Sequence, residues 1–174
     1  MIIAKMNCTD DYFGWEGTSL IPKRIYSYFE EIKNSDMITE GRMICCNHQD
    51  FDVYTCGEIK KSYLKLHTYL TGDAVALKIK CNKCGGSILV FDSKCDGYDM
   101  VCENVVGDMD VDKLNFVQFR CKKCSGASFG IAIKLEYAGT DEIATGDAFT
   151  WICVTLECNQ CHARYKNFID YEAG

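Results

Sequence analysis

The sequence predicts a β-rich α+β fold: antiparallel sheet built from hairpins that carry Cys-x-x-Cys turns, with one helix near the N-terminus. Three observations predict it. Apolar and polar residues alternate along much of the chain after residue 61, the period of a half-buried strand. Three Cys-x-x-Cys pairs each stand between two such strand patterns. Before residue 61, one segment has helical spacing instead.

That segment holds Ile25, Tyr28, Phe29 and Ile32 at helical intervals, with Pro22 near the first turn and Asn34 and Ser35 as stop signals. Ahead of it, residues 12–17 (Tyr12, Phe13, Gly14, Trp15, Glu16, Gly17) read as a loop or short strand packing on the core. From Ser62 the period falls to two. Leu64, Leu66, Thr68 and Leu70 share one face, Thr71-Gly72-Asp73 turns the chain, and Val75, Leu77 and Ile79 share a face on the return, as in a β-hairpin. The return strand runs into Cys81.

The unit recurs. A strand over 116–120 enters Cys121-Lys122-Lys123-Cys124, and one with Phe129, Ile131, Ile133, Leu135 and Tyr137 on one face leaves it. Another over 149–157 enters Cys158-Asn159-Gln160-Cys161, and one over 164–169 leaves. The first cysteines lie 40 and 37 residues apart (121 − 81 and 158 − 121), a degenerate threefold repeat of strand, turn, strand. Between the first two units, Asp92, Asp96, Asp99, Glu103, Asp108, Asp110 and Asp112 face one cation, Lys94, which reads as a solvated acidic loop.

Two thiolates three positions apart in a tight turn can face one ion, and a second such turn completes the tetrahedron of sulfurs that Zn²⁺ accepts in closed structural sites. Gly85 and Gly86, and Ser125 and Gly126, follow the second cysteine, where the chain must fold back. Zinc is therefore the expected cofactor, with Cys81, Cys84, Cys121, Cys124, Cys158 and Cys161 as ligands. On these motifs the last ~110 residues resemble the zinc-ribbon group, which pairs two hairpin knuckles around one zinc. The resemblance implies paired knuckles; the chain departs from it in having three, separated by 36 and 33 residues (121 − 84 − 1 and 158 − 124 − 1). Six thiols complete one site and leave two over, unless Cys95 and Cys102, or Cys45, Cys46, His48 and Cys56, complete a second. Cys8 and Cys153 read as structural, Cys153 as a small apolar residue alternating with Trp151 on a strand face.

The charge of −6, from 19 basic and 25 acidic side chains, opposes a general nucleic-acid binder. Lysines and arginines beside each knuckle (Lys78, Lys80, Lys83; Arg120, Lys122, Lys123; Arg164, Lys166) read first as offsets to sulfur charge and second as a phosphate grip. Thirteen cysteines, six of them in metal-ligand spacing, with no apolar stretch of a secretion signal at the start and no membrane-length run, suit a reducing, cytoplasmic setting. Catalytic patterns are absent from the sequence. The Cys-x-x-Cys pairs sit between strands instead of at a helix N-terminus, no His-Glu-x-x-His occurs, and Lys113 and Phe119 spoil the calcium-loop pattern begun at Asp108.

The expectation is a single domain over 1–174, with a helix-containing part over 1–60 and a β-rich knuckle part over 61–174. Its expected function is that of a non-enzymatic, zinc-stabilised protein-interaction module, in one version an inhibitor or immunity-type protein that masks a basic partner. The alternative is a nucleic-acid-binding zinc ribbon that uses the knuckle lysines. No membrane association is expected.

Overall fold

The computed structural model describes residues 21–35, 37–62, 67–96, 114–137 and 150–172, without the side chains of Lys23, Asp73, Lys94 and Cys95. Pro22 starts a helix, but of one turn only: α1 spans Lys23–Tyr26, with Ile25 and Tyr26 N–H groups donating to the Pro22 carbonyl. The helix expected through Ile32 does not form. Residues Phe29–Ser35 are strand β1, paired with β2 (Ile38–Met43) from Phe29↔Met43 to Ser35↔Ile38. Strand pairing overrides the helical spacing, and Ile32, which that spacing would bury, is 65 % exposed. The aromatic segment 12–17 lies outside the described residues.

The expected hairpin with a turn at Thr71-Gly72-Asp73 is also corrected. β3 (Phe51–Lys61) and β4 (Thr68–Cys81) form the hairpin, and β4 runs through Gly72 without reversing. The pairing slips there instead, between Cys56 and Glu58, with Gly57 at φ +117° and Gly72 at φ +138°. Glycines absorb the kink because such angles suit no other residue well. Leu64 and Leu66 lie outside the described residues.

β5 (Ser87–Asp92) follows β4, then a helical turn α2 (Ser93–Asp96), β6 (Val117–Gln118), β7 (Ser128–Glu136), β8 (Trp151–Cys158) and β9 (Arg164–Glu172). All pair antiparallel in one sheet, ordered β1-β2-β7-β3-β4-β5, with β8 on the other edge of β7 and β9 beyond it. The sheet curls until β4 and β9 pack on each other. Phe51, Leu77, Ile79, Phe91, Phe119, Phe129, Leu156 and Phe168 fill the space enclosed.

The buried Arg24 guanidinium ties α1 to β5. It donates to the carbonyls of Leu89 (3.2 Å) and Val90 (3.3 Å) and pairs with Asp96, whose carboxylate also accepts the Asp92 N–H. Asp92 and Asp96 thus belong to the interior and not to a solvated acidic loop; residues 97–113 lie outside the description.

A near-twofold relation organises the strands. Cys45 corresponds to Cys121, Cys81 to Cys158 and Phe51 to Phe129, at offsets of 76, 77 and 78 residues (121 − 45, 158 − 81, 129 − 51). The registers repeat with them. Phe51↔Cys81 and Val53↔Ile79 match Phe129↔Cys158 and Ile131↔Leu156. Ile79↔Ile88 matches Leu156↔Tyr165. The entering strands cross over, so that β2 pairs with β7 (Arg42↔Ala132) and β6 pairs with β3 (Tyr54↔Gln118). Each half therefore borrows a strand from the other, and the halves meet at the pair Phe51↔Phe129. The repeat is twofold, of paired knuckles, and not threefold.

Phe51 and Phe129 are fully buried at that junction. Phe129→Ala is expected to lower unfolding stability by about 3–5 kcal/mol through the cavity it leaves. Denaturant unfolding of the metal-loaded chain measures it.

Candidate metal centres

Each Cys-x-x-Cys turn closes with the same two backbone bonds. The first cysteine accepts from the residue four positions on (Gly85, Ser125 and His162 N–H, 2.8–2.9 Å) and donates to the carbonyl five positions on (Gly86, Gly126 and Ala163). The fourth-position residues are left-handed, at φ +74°, +61° and +56°. Only the first is glycine, so Ser125 and His162 hold this angle against the ordinary side-chain preference. A fourth turn has another form: Cys45 and His48 exchange backbone bonds, with Cys46 at φ +54° and Asn47 at φ +62°. Two successive left-handed residues make the tight turn favoured in hairpins.

All four turns lie at one end of the sheet, because Cys81, Phe51, Phe129 and Cys158 form a continuous row of strand partners. Cross-bonds fix their spacing. Asn82 N–H donates to the Asp50 carbonyl (3.1 Å) and Asn159 N–H to the Ser128 carbonyl (3.0 Å), the same bond in each half. Asp50 Oδ1 also accepts from Asn82 Nδ2 and Ser128 Oγ, both at 2.6 Å, linking the two halves.

This end brings together two groups of four thiols, Cys45-Cys46-Cys81-Cys84 and Cys121-Cys124-Cys158-Cys161, each with its sulfurs within 4.8 Å of one another. Sulfur pairs lie at 3.8 Å (Cys45–Cys46), 3.6 Å (Cys45–Cys84 and Cys124–Cys158) and 3.5 Å (Cys121–Cys161). These are no disulfides, which need about 2.05 Å, and the ten described cysteines are all free. A tetrahedron of ~2.3 Å metal–sulfur bonds has edges of roughly 3.8 Å. Both groups can hold a metal ion.

The six expected ligands all fall in these groups. The pairing, which the spacing left open, sets the second and third knuckles facing each other and the first against Cys45 and Cys46. Of the further candidates, His48 is exposed, with Nε2 3.2 Å from Lys83 Nζ, and Cys56 sits on β3 outside both groups. The Cys102 residue and the Cys95 side chain lie outside the description. The adjacent cysteines lacked the spacing that marks a ligand pair; the 76-residue offset from Cys121 was the signal that could have marked them.

The thiols strain against one another when no cation is present. Burial, then bonds from Cys84 and Cys81, raise Cys45 far above the ordinary thiol range. The Gly86 N–H, then Cys45, hold Cys84 down, to about 7. Burial raises Cys121, but the Tyr165 hydroxyl and the Cys124 and Lys123 N–H groups outweigh it and hold it at about 6. The Gly126 N–H lowers Cys124, yet burial and the three neighbouring sulfurs push it up to about 12. Within each group some sulfurs ionise readily while others resist, the pattern of interacting sites that a central cation relieves.

No known protein family, curated protein or solved structure matches this chain. The chemistry must be read from the site itself.

Cys153 is corrected as well. It lies on the outer face of β8, half-buried in a cleft of about 480 Å³ lined by Glu40, Lys134, Glu136, Trp151 and Asp170. Its Sγ donates to Asp170 Oδ1 (3.6 Å), which also accepts from Trp151 Nε1 (2.7 Å). Burial and the Asp170 charge push the thiol up to about 11, so it stays protonated at neutral pH and makes a poor nucleophile.

Native mass spectrometry should find one metal ion fewer per chain in Cys46→Ser than in the parent. His48→Ala and Cys56→Ser should match the parent, since neither residue belongs to a four-sulfur group.

Proposed function

We propose that this chain is a non-enzymatic, zinc-stabilised protein-interaction module whose acidic surface meets a basic partner, as an inhibitor or immunity-type protein would. The observation that carries it is the closure of both centres. Each offers four protein sulfurs, the ligand set of structural zinc, whereas catalytic zinc keeps one position open for water or substrate. Four-sulfur sites favour zinc among abundant divalent ions. A reducing, cytoplasmic setting suits ten free thiols. Among the described residues no helix is long and apolar enough to cross a membrane.

Zinc also deepens the acidity. Each Zn²⁺ held by four thiolates leaves about −2, which takes the chain from −6 to about −10 with both sites filled. The docking surface of this reading is the outer face of β2, β7, β8 and β9, where Glu40, Glu136 and Asp170 line one cleft with the exposed Trp151, Glu136 being paired to Lys134. An indole beside carboxylates suits the cationic side chains of a basic protein.

The nucleic-acid reading has one favourable feature, the exposed Arg120, Lys122 and Lys123 on one knuckle. Arg120, however, spends its guanidinium on Ser125 O and Gln118 Oε1, both at 3.3 Å. Crosslinked capture from lysate of the source cell, at low and high salt, separates the readings. The zinc-loaded chain should retain a basic protein at low salt, and Glu40→Lys/Glu136→Lys should lose it. Retention of oligonucleotides, abolished by Lys122→Glu/Lys123→Glu, with no protein captured, would overturn the proposal in favour of nucleic acid.

A further inference from the structure

The near-twofold relation makes the two centres directly comparable, and their surroundings differ at equivalent places. In the Cys121-Cys124-Cys158-Cys161 centre, Cys121 and Cys158 are buried, and Cys124 and Cys161 pack against the apolar core. Tyr165 donates its hydroxyl to Cys121 Sγ (3.3 Å) while accepting the Lys122 N–H (2.7 Å). That tyrosine is fixed in turn by Phe119, at 5.1 Å edge-on. Gln160 lies across Gly126 and reaches Cys124 Sγ, so its amide roofs the sulfurs.

In the Cys45-Cys46-Cys81-Cys84 centre, Cys45 and Cys81 are buried as Cys121 and Cys158 are, but the tyrosine and glutamine covers are missing at the matching positions. Ile88 stands where Tyr165 does, so no hydroxyl reaches the sulfurs from there. Lys83 stands where Gln160 does, and its ammonium turns to the Cys46 carbonyl (3.4 Å) and His48. Cys46 and Cys84 are exposed. Cys46 is also held at φ +54°, a left-handed angle that its side chain disfavours and that detachment from a metal would free it to leave.

We infer that the Cys45-Cys46-Cys81-Cys84 centre is a metal-exchange site, which gives up or takes zinc through an external thiolate, while its twin keeps its ion. This rests on the reading of both groups as zinc centres. With an ion held there, Cys46 and then Cys84 would be the ligands to give way, since both are exposed beside Lys83; an external thiol taking the place of Cys46 would pass its proton to the freed cysteine, and no atom would change oxidation state. Outer hydrogen bonds and burial set how firmly such ligands hold a metal, and the twin centre has more of both: the Tyr165 hydroxyl on Cys121, and partial burial of Cys124 and Cys161 where Cys46 and Cys84 are exposed.

The test is zinc release from the full-length, zinc-loaded chain into an excess of a chromogenic chelator, with and without mercaptosuccinate. Two equivalents should leave in two phases, the first about tenfold or more faster and accelerated by the thiol. Cys46→Ser should show the slow phase alone. Alkylation of the loaded parent, followed by peptide mass spectrometry, should mark Cys46 and Cys84 before their counterparts Cys124 and Cys161, which needs no variant to fold. Two equivalents leaving at one rate, or alkylation of Cys124 and Cys161 as early as Cys46 and Cys84, would overturn the exchange role while leaving the zinc reading intact. A chain that binds no zinc would overturn both.

Discussion

Four sulfur atoms drawn within 4.8 Å of one another at the end of a sheet cannot all carry charge unless a cation sits among them. The chain builds this arrangement twice, and the rest of the structure serves to hold it. A continuous row of strand partners (Cys81, Phe51, Phe129, Cys158) sets the first cysteine of one knuckle in each centre into the sheet itself. The two phenylalanines between them are fully buried, so the anchors rest on packed core and not on loops. Asp50, Asn82, Ser128 and Asn159 then cross-link the turns through bonds of 2.6–3.1 Å.

This arrangement explains why so β-rich a chain can afford two thiol clusters at one end. Each half places one knuckle on its own hairpin and another on a strand that pairs with the other half, as β2 does with β7 and β6 with β3. A metal ion in either group would therefore join segments far apart in sequence, Cys45 to Cys84 or Cys121 to Cys161. Such closure removes freedom mainly from the unfolded chain, as any long-loop cross-link does. The interior then needs little help from helices, which among the described residues are single turns.

Much of this was legible in the residues. Ile131, Ile133 and Leu135 alternate with small or charged neighbours, and β7 buries them in that alternation. The Cys-x-x-Cys pairs announced three of the four turns, since ligands three positions apart leave a visible mark. The fourth turn left none. Cys45 and Cys46 are adjacent, and only two left-handed residues in succession bring both sulfurs to one point. The segment from Ile25 to Ile32 misled because its spacing suits a helix, whereas long-range pairing with β2 decides the outcome. Thr71-Gly72-Asp73 has turn chemistry, yet a glycine can serve a kink within a strand as well as a reversal. Cys153 does share a face with Trp151, but that face is the half-exposed one, because alternation fixes which residues share a face, not which face is buried.

The most direct measurement of the central claim is X-ray absorption at the zinc edge, joined to elemental analysis, on chain purified without added zinc. Two zinc ions per chain, each surrounded by four sulfurs at about 2.3 Å with no nitrogen or oxygen neighbour, is the expected result. A chain that carries no metal and holds these cysteines in disulfides would contradict it.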